Sequence, residues 1–266
     1  MNDLGIFVLC YNRPVYVTEA IDSILNQTYK KFDLIISDNS SNELVQNSIQ
    51  KYKGINNLKV LRRHPSADAI SHFNLVLQEA QQYKYFMMFH DDDIMQPLCI
   101  EQLMHGFEKY PKLSASGCNA YFKYEPTKPE KIFNDKLTKD VLIINPQQLI
   151  HRYFTKSLSH TPFPFYIYSA KQIVGLTMDP NEGGKHCDVS FLCKVVERSP
   201  LLWSALPLAN YRLHEANDSN EINIPDLISL TRFIFTNYHS FYIKMSFVLT
   251  KRSLKHLILL VRRIFR

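Results

Sequence analysis

Short apolar segments alternate with helical patterns along the first 110 residues, and this alternation restricts the fold more than any other feature of the chain. Between two such segments, VYVTEAIDSILNQ has apolar residues recurring at helical spacing. The predicted strands lie at 4–10, 32–37, 58–63 and 85–89, and a further helix is predicted over 98–109. Alternation of this kind predicts an α/β fold with a mainly parallel, Rossmann-like sheet flanked by helices.

Polar motifs follow all four predicted strands. They are Tyr11-Asn12-Arg13-Pro14, Asp38-Asn39-Ser40-Ser41, Arg62-Arg63-His64 and His90-Asp91-Asp92-Asp93. Because ligands bind at the carboxyl ends of the strands in sheets of this kind, four motifs at successive strand ends predict one binding site. The chain has neither a GxGxxG nor a GxxxxGK[ST] pattern, which disfavours ordinary Rossmann dehydrogenases and P-loop NTPases.

Three adjacent carboxylates, Asp91, Asp92 and Asp93, end the fourth apolar segment. Like charges raise one another's pKa, so the arrangement is costly unless a cation or hydrogen-bond donors lie among them. Mg²⁺ and Mn²⁺ prefer oxygen ligands, typically one or two carboxylates together with substrate phosphates. If the chain stays extended past Phe89, Asp91 and Asp93 point to the same side, with Asp93 as metal ligand and Asp91 holding a ribose or a second metal ligand. The alternative is an acidic helix N-terminus, although one aspartate is enough to cap a helix.

The composition argues against several other functional classes. The formal net charge is +6, but six basic residues and no acidic ones lie in the last sixteen residues, so the rest of the chain is formally neutral. Nucleic-acid binding by the globular part is therefore not expected. The five cysteines lack zinc-site spacing, no window of about 18 apolar residues is present, and the first residues lack the basic region of a secretion signal. A cytoplasmic, reducing compartment fits these features.

The motifs resemble those of the inverting family 2 glycosyltransferases, which have the GT-A fold, and the resemblance covers roughly residues 4–220. It is carried by Tyr11-Asn12-Arg13-Pro14, by SILNQTYKKFDLIISDNSS (23–41) and by HFNLVLQEAQQYKYFMMFHDDDIMQP (72–97). The resemblance is to enzymes of bacterial polysaccharide and O-antigen synthesis. It implies a nucleoside diphosphate sugar donor, a glycan acceptor, and Mn²⁺ or Mg²⁺ as cofactor. Membrane attachment through the basic C-terminal segment would also suit a polyprenyl-diphosphate-linked glycan as acceptor.

The resemblance also implies roles for individual residues. Asp38 is expected to bind the nucleotide base or ribose, with Tyr11, Asn12 and Arg13 lining the same pocket. The acidic run Asp91, Asp92 and Asp93 corresponds to a DxD-like metal and diphosphate site. Two departures stand out. Many members have Asp-x-Asp-Asp where this chain has His90-Asp91-Asp92-Asp93, so which aspartate binds the metal stays open. The frequent Arg-Asn pair of the third helix is Phe73-Asn74 here, which leaves Asn74 as a candidate substrate contact.

Two later segments complete the predicted site. GGKHCDVSFLCKV (183–195) places Asp188 at the start of a helical pattern, where on its own it is an ordinary first-turn aspartate. The segment resembles the family's acidic motif, which implies that Asp188 is the general base for the acceptor hydroxyl. NYRLHEANDSN (210–220) contains Arg212 and His214. A lone histidine is more often a surface or core residue, but the resemblance implies a metal or diphosphate contact for His214 and a charge-offsetting role for Arg212.

The domain prediction places a GT-A catalytic domain at residues 1–220, with a nucleotide-binding half (1–110) and an acceptor-side half (111–220). Residues 221–266 are predicted to form C-terminal amphipathic helices. In the last of them, the tail (residues 247–266), basic side chains share one helical face and most apolar ones the other, which predicts a peripheral attachment to the anionic inner face of the cell membrane. The alternative is a helix that packs its apolar face on the protein.

Two segments of the acceptor-side half are expected at the surface. EPTKPEKIFNDK (125–136) reads as an exposed loop, and SHTPFPFYIYSA (159–170) as an apolar, proline-broken surface that shapes substrate access.

The sequence is also compatible with two other functions. Nucleotidyl transfer also uses carboxylates at strand ends with Mg²⁺, but it needs basic side chains for a triphosphate, and only Arg62 and Arg63 are candidates. A non-catalytic, membrane-associated nucleotide-sugar-binding protein would keep the donor pocket and lack a working base.

Overall fold

The computed structural model describes residues 1–124, 131–155, 165–214 and 223–238. In the first 110 residues the elements follow the predicted alternation. They are β1 (Leu4–Cys10), α1 (Pro14–Leu25), β2 (Phe32–Asp38), α2 (Leu44–Ser48), β3 (Leu58–Arg62), α3 (Ala69–Ala80), β4 (Tyr85–His90), β5 (Ile94–Met95) and α4 (Cys99–Lys109). Pro14 begins α1 at a position where its missing N–H costs nothing, and Ile49–Tyr52 extend α2 as a 3-10 turn.

The remaining elements build the second half of the sheet and its cover. They are β6 (Ala115–Tyr124), β7 (Lys131–Ile132), β8 (Val141–Ile143), α5 (Pro146–Thr155), β9 (Tyr166–Ser169), α6 (Ala170–Ile173), α7 (Cys187–Arg198), β10 (Leu201–Leu213) and α8 (Ile224–Asn237). Two short 3-10 turns, Pro180–Glu182 and Gly184–His186, precede α7.

Ten strands of the described residues form one sheet in the order β3-β2-β1-β4-β9-β6-β10-β5, with β7 on β6 and β8 on β10. β1 pairs in parallel with β2 and β4, β2 with β3, and β6 with β10. β9 is antiparallel to both β4 and β6 and joins the two halves. The carboxyl ends of β1, β2, β3, β4 and β10 therefore lie along one edge. The predicted α/β fold with a sheet flanked by helices is confirmed, and the sheet is mixed, because β5, β7, β8 and β9 pair antiparallel to their neighbours.

The core has two layers, one on each face of the sheet. Ile6 and Val8 of β1 pack in a cluster with residues of α1 and α4, whereas Phe7 and Leu9 pack in a cluster with residues of α3 and α7. Burial on both faces explains why the parallel strands are continuous apolar runs without alternation.

The expectation of an apolar surface at 159–170 is wrong for its last residues. Residues 166–169 form β9, and all four are buried between β4 and β6. A four-residue strand covered on both faces gives no alternating pattern, and the prolines before it suggested a loop. Residues 125–130 of the expected exposed loop lie outside the described residues, and Lys131–Ile132 form the exposed strand β7.

At the C-terminal end of the described chain, α8 packs on α7 through the buried side chains of Leu230, Phe233 and Ile234. None of the helices in the described ranges is long and apolar enough to cross a membrane. The tail lies outside these ranges, so its predicted amphipathic helix is not described here.

Candidate active site

The turn after β1 ties three strand ends together. Tyr11 N donates to Asp91 Oδ2 at 2.9 Å, and Asn12 N donates to Ser40 Oγ at 2.9 Å. The Asn12 side chain accepts from Ser41 N at 3.0 Å. Asn12 has φ 55°, a left-handed conformation that asparagine tolerates better than most residues. The motifs after β1, β2 and β4 are thus brought together, as their positions at strand ends predicted.

The acidic triplet does not continue β4 as an extended strand. β4 ends at His90, Asp91 and Asp92 form a turn, and β5 follows at Ile94. The expectation that Asp91 and Asp93 share one side of an extended chain is therefore wrong, because a turn breaks the two-residue alternation. The helix-capping alternative is also wrong, since a strand follows the triplet and α4 begins only at Cys99.

Arg13 supplies positive charge to two of the three aspartates. Its Nη1 lies 2.9 Å from Asp91 Oδ1 and 3.3 Å from Asp92 Oδ2. Burial and the neighbouring Asp92 raise the pKa of Asp91 to about 7, although Arg13 and the amide of Tyr11 act in the opposite direction. Arg13 alone therefore does not compensate the charge of the triplet.

Asp92 lies between positively charged or protonatable groups. His214 Nε2 is 3.1 Å from Asp92 Oδ2. Burial acts to raise the pKa of Asp92, but His90, Arg13 and His214 together hold it below its ordinary value. Asp92 is thus ionised at neutral pH. His214 contacts the triplet through Asp92, and its contact with a metal or diphosphate stays a prediction.

Asp93 has one oxygen in use and one without a partner. β5 pairs with β10, which places Arg212 N 3.1 Å from Asp93 Oδ1. Among the residues that the structure describes, nothing forms a hydrogen bond with Asp93 Oδ2, which is buried. Burial and the charge of Asp92 raise the pKa of Asp93 well above its ordinary value. A buried carboxylate oxygen without a partner is costly and suits a ligand that brings positive charge.

A divalent cation fits these residues. His90, Asp92 and Asp93 each offer a ligand atom, and the three atoms lie within 4.8 Å of one another. Carboxylate oxygens are the ligands that Mg²⁺ and Mn²⁺ prefer, and Mn²⁺ also accepts imidazole. His90 was not among the predicted ligands. Its position as the last residue of β4, directly before the triplet, was the signal in the sequence.

Tyr16 and Glu19 of α1 hold the end of β10, and neither was predicted. The buried guanidinium of Arg212 pairs with Glu19 Oε2, and its central carbon lies 4.8 Å from the centroid of the Tyr16 ring. The Tyr16 ring also stacks on His214 at 4.8 Å. Arg13, Tyr16 and Glu19 are spaced by three residues, which places them on one stripe of a helix. That spacing was the signal that could have identified them.

The second group of site residues surrounds Asp38, at the end of β2. Arg62 Nη1 donates to Asp38 Oδ2 at 2.6 Å, and Ser40 N donates to Asp38 Oδ1 at 3.0 Å. Asp38 is fully buried, whereas the Arg62 side chain is partly exposed. The group therefore presents a guanidinium beside a carboxylate, next to the turn that carries Asn12.

The structure gives Asn74 a bridging role. Its Nδ2 donates to Met178 O at 2.9 Å, and its Oδ1 accepts from Met178 N at 2.8 Å. Both ends of the amide are thus used to tie α3 to the segment before α7. No hydrogen bond in the described residues connects Asn74 with the triplet, and its contact with substrate stays a prediction.

Asp188 lies in the first turn of α7, apart from the triplet. Within the described residues, no hydrogen bond or ion pair joins it to Asp91, Asp92 or Asp93. The residue keeps some exposed surface, but burial of its carboxyl raises the pKa to about 7, although the backbone amides of Val189 and of Asp188 itself lower it. Burial also raises the pKa of Tyr168 on β9, and the charge of Asp188 adds to this, which places the carboxyl near β9. A carboxylate that titrates near 7 suits proton abstraction.

Comparison with known proteins gives the family. The sequence profile described as Glycosyl transferase family 2 matches residues 5–170, which is more than half of the chain. An "Uncharacterized glycosyltransferase" of Haemophilus influenzae is 28% identical over 115 residues. That alignment covers 43% of this chain and 35% of the Haemophilus protein, so the match spans about a third of the length of this curated relative.

Solved structures of similar fold extend over most of the chain. Staphylococcus aureus TarS 1-349 in complex with UDP-GlcNAc has a TM-score of 0.66 and 15% identity, over 92% of this chain and 77% of that chain. GalNAc-T7 with UDP, GalNAc and Mn²⁺ has a TM-score of 0.63 and 14% identity, over 87% of this chain and 48% of that chain. At these identities the likeness shows the GT-A fold alone. With the profile match over residues 5–170, the chain belongs to glycosyl transferase family 2.

Proposed function

We propose that this protein is a metal-dependent inverting glycosyltransferase. It moves a sugar from a nucleoside diphosphate sugar to a glycan or a polyprenyl-diphosphate-linked glycan in surface polysaccharide synthesis. The observation that carries the proposal is the buried triplet Asp91–Asp93, which lies with Arg13, Arg212 and His214 at the strand ends of a family 2 chain. The TarS complex with UDP-GlcNAc and the GalNAc-T7 complex with Mn²⁺ support this choice of donor and cofactor.

The donor lies, in this proposal, along the edge formed by the strand ends. Asp38 and Arg62 recognise the base or ribose, because they combine an acceptor and a donor in one partly open group. Asp92, Asp93 and His90 would hold the cation, and His214 would approach it through Asp92. When bound, a divalent cation supplies positive charge that neutralises the departing diphosphate. Arg13 and Arg212 add positive charge on the same side of the sheet.

Asp188 acts as the general base on the acceptor side. Its carboxylate takes the proton of the acceptor hydroxyl as that oxygen forms a bond to the anomeric carbon. The bond between the anomeric carbon and the diphosphate oxygen breaks on the opposite face, and its electron pair leaves with the nucleoside diphosphate. The configuration of the sugar is therefore inverted.

Nucleotidyl transfer is less well supported than sugar transfer. Of its two candidate triphosphate contacts, Arg63 is engaged with Glu79 through two nitrogens, which leaves Arg62, beside Asp38, to hold three phosphates. A non-catalytic nucleotide-sugar-binding protein is the other alternative. The Asp188→Asn variant distinguishes it, because loss of transfer with retained donor binding indicates that Asp188 is a working base.

A screen of nucleotide sugars tests the proposal. Purified protein is heated with UDP-, dTDP- and GDP-sugars, each with Mn²⁺ or with EDTA. We expect one nucleotide class to raise the melting temperature by about 5–10 °C at ligand concentrations near 100 times Kd, and only when the metal is present. The same class should show EDTA-sensitive hydrolysis. Absence of stabilisation and of hydrolysis by every nucleoside diphosphate sugar would contradict the proposal.

We also propose that the tail attaches the protein to the cytoplasmic face of the cell membrane. The support is its sequence pattern, in which six basic residues each contribute about 1 kcal/mol near an anionic surface. Deletion of 247–266 is expected to move the protein from the membrane fraction to the soluble fraction and to leave donor binding unchanged. A second variant keeps the tail but replaces its basic residues by glutamine. It should bind anionic vesicles more weakly than the wild type and should bind neutral vesicles and the donor as the wild type does. The positions are Lys251, Arg252, Lys255, Arg262, Arg263 and Arg266.

Two other results would contradict the membrane attachment. Unfolding of the deletion variant would favour a tail that packs on the protein. Equal binding of the glutamine variant and the wild type to anionic vesicles would show that the basic face is not used.

A further inference from the structure

We propose that α8 positions Asp188 and that it acts through the side chain of Asp226. This inference rests on the proposed function, because it assigns a positioning residue to the proposed base. Asp226 touches neither the triplet nor Asp188 through any contact in the described residues. Its partners belong to the turn that leads into α7, and that turn determines where Asp188 lies.

The turn before α7 has an unusual backbone. Gly183 has φ 139° and Gly184 has φ 55°, and Gly184–His186 form a 3-10 turn that leads directly into α7 at Cys187. Asp188 is the second residue of the helix, so only His186 and Cys187 separate it from Lys185. A shift of this turn therefore moves the Asp188 carboxyl with it.

Asp226 packs against this turn at its tightest point. Asp226 Oδ2 accepts from Lys185 N at 3.3 Å. A Cβ atom added to Gly184 would lie 1.9 Å from Asp226 Oδ1, so the carboxylate occupies the space that any other residue at 184 would need. One turn further along α8, Ser229 Oγ donates to Asn181 O at 2.6 Å. The beginning of α8 is thus bonded to main-chain atoms of the segment that starts α7.

The rest of α8 is held along α7. Phe233 is buried in the same cluster as residues of α7, and its ring centroid lies 5.9 Å from Lys194 Nζ, which also pairs with Glu182. At the far end, Tyr238 is buried in the same cluster as residues of α7, close to where α8 ends. Because α8 packs along α7, the backbone of Asp226 is held beside the turn.

The chain segment that contains Asp226 also supplies residues to the triplet. The segment that supplies Arg212 and His214 to the triplet continues, after residues 215–222, into Asn223 and α8. Asn223 caps α8 by accepting from Asp226 N at 3.4 Å. One stretch of chain therefore contributes both to the donor side and to the support of the base.

Two glycine variants test the position of the turn. Gly184→Ala places a methyl group against Asp226 and should displace the turn. Gly175→Ala is its matched control, because Gly175 has φ 75° and nothing lies within 4 Å of the added Cβ. Both variants carry the backbone cost of alanine at positive φ. We expect kcat to fall about 10- to 100-fold for Gly184→Ala, since a displacement near 1 Å has effects of that size, and to stay unchanged for Gly175→Ala.

Substitutions at Asp226 test the contact itself. Asp226→Ala should lower kcat to a similar extent and leave the affinity for UDP and Mn²⁺ unchanged. Asp226→Asn keeps an acceptor for Lys185 N and should retain kcat. In the Gly184→Ala/Asp226→Ala double variant, the fold-decrease in kcat should be smaller than the product of the two single fold-decreases, because both changes act on one contact.

The outcomes separate this inference from the proposed function. If Asp188→Asn abolishes transfer while folded Asp226→Ala and Gly184→Ala keep wild-type kcat, positioning by α8 is overturned and the proposed base stands. Equal losses in kcat and in donor affinity would also overturn it, since they indicate general damage to the fold. If Asp188→Asn leaves transfer unchanged, the proposed base fails and the inference fails with it. Should Asp226→Ala not fold, the pair of glycine variants decides alone.

Discussion

Replacement of Asp188 by asparagine is expected to lower kcat for sugar transfer by about 10²–10⁴-fold and to leave donor binding intact. Asparagine keeps the size of the side chain but takes no proton from the acceptor hydroxyl. Donor binding should persist, because no hydrogen bond or ion pair among the described residues joins Asp188 to the triplet or to Asp38. The measurement is the initial rate of transfer together with a titration of UDP in the presence of Mn²⁺. Glu101→Gln, at the first-turn acid of α4, is the matched control and should keep full activity.

Comparison of the wild type and the Asp188→Asn variant across pH adds a second readout. With a pKa of about 7, Asp188 loses its proton as the pH rises through 7, so wild-type kcat should increase up to that point and then level off. The raised pKa also determines whether the free energy of unfolding rises or falls with pH. The native state favours the protonated form, and this stabilisation is full below about pH 4 and is lost as the pH rises to 7.

Asp188→Asn should therefore match the wild type in melting temperature near pH 4 and exceed it at pH 8. Asp91 also has a raised pKa of about 7, but it is present in both proteins. The difference in melting temperature between them therefore arises from Asp188. Unchanged transfer, or a variant less stable than the wild type at pH 8, would contradict the assignment.

Replacement of Asp93 by asparagine is expected to weaken Mn²⁺ binding by at least about 100-fold and to remove metal-dependent donor binding. The Asp93 Oδ2 atom is buried without a partner in the described residues, and a neutral amide in its place loses the charge that favours a cation. The remaining oxygen still accepts from Arg212 N, so the fold should persist. Mn²⁺ binding is measured by the loss of the free-ion electron paramagnetic resonance signal.

Asp33→Asn is the control for the Asp93 variant. Asp33 lies near the opposite end of β2, where it accepts from Asn2, so its loss should not change Mn²⁺ affinity. Equal Mn²⁺ affinity in the Asp93 variant and the wild type would show that Asp93 does not bind the metal.

The strand–helix alternation and the location of the site could be predicted from the sequence because their causes are local. Strands buried on both faces must be apolar throughout, and a parallel sheet brings successive strand ends to one edge. The motif at Tyr11-Asn12-Arg13 and the aspartates after β2 and β4 therefore met where they were expected.

Other features depend on contacts between distant parts of the chain. The turn at Asp91 and Asp92 is set by Arg13 and by the amide of Tyr11, about 80 residues earlier, and nothing in the triplet itself indicates it. β9 is four residues long and becomes a strand only because β4 and β6 pair with it. The contact between Asp226 and Gly184 joins residues far apart in sequence, so no pattern in either segment predicted it.

The most direct test is a crystal soaked with Mn²⁺ and UDP, with data collected at a wavelength where manganese scatters anomalously. We expect one anomalous peak about 2.0–2.3 Å from a carboxylate oxygen of Asp93 or Asp92, with the diphosphate of UDP bound to it. A structure with UDP bound away from this edge of the sheet, or with no manganese beside the aspartates at saturating concentration, would contradict the claim that the triplet holds a divalent cation.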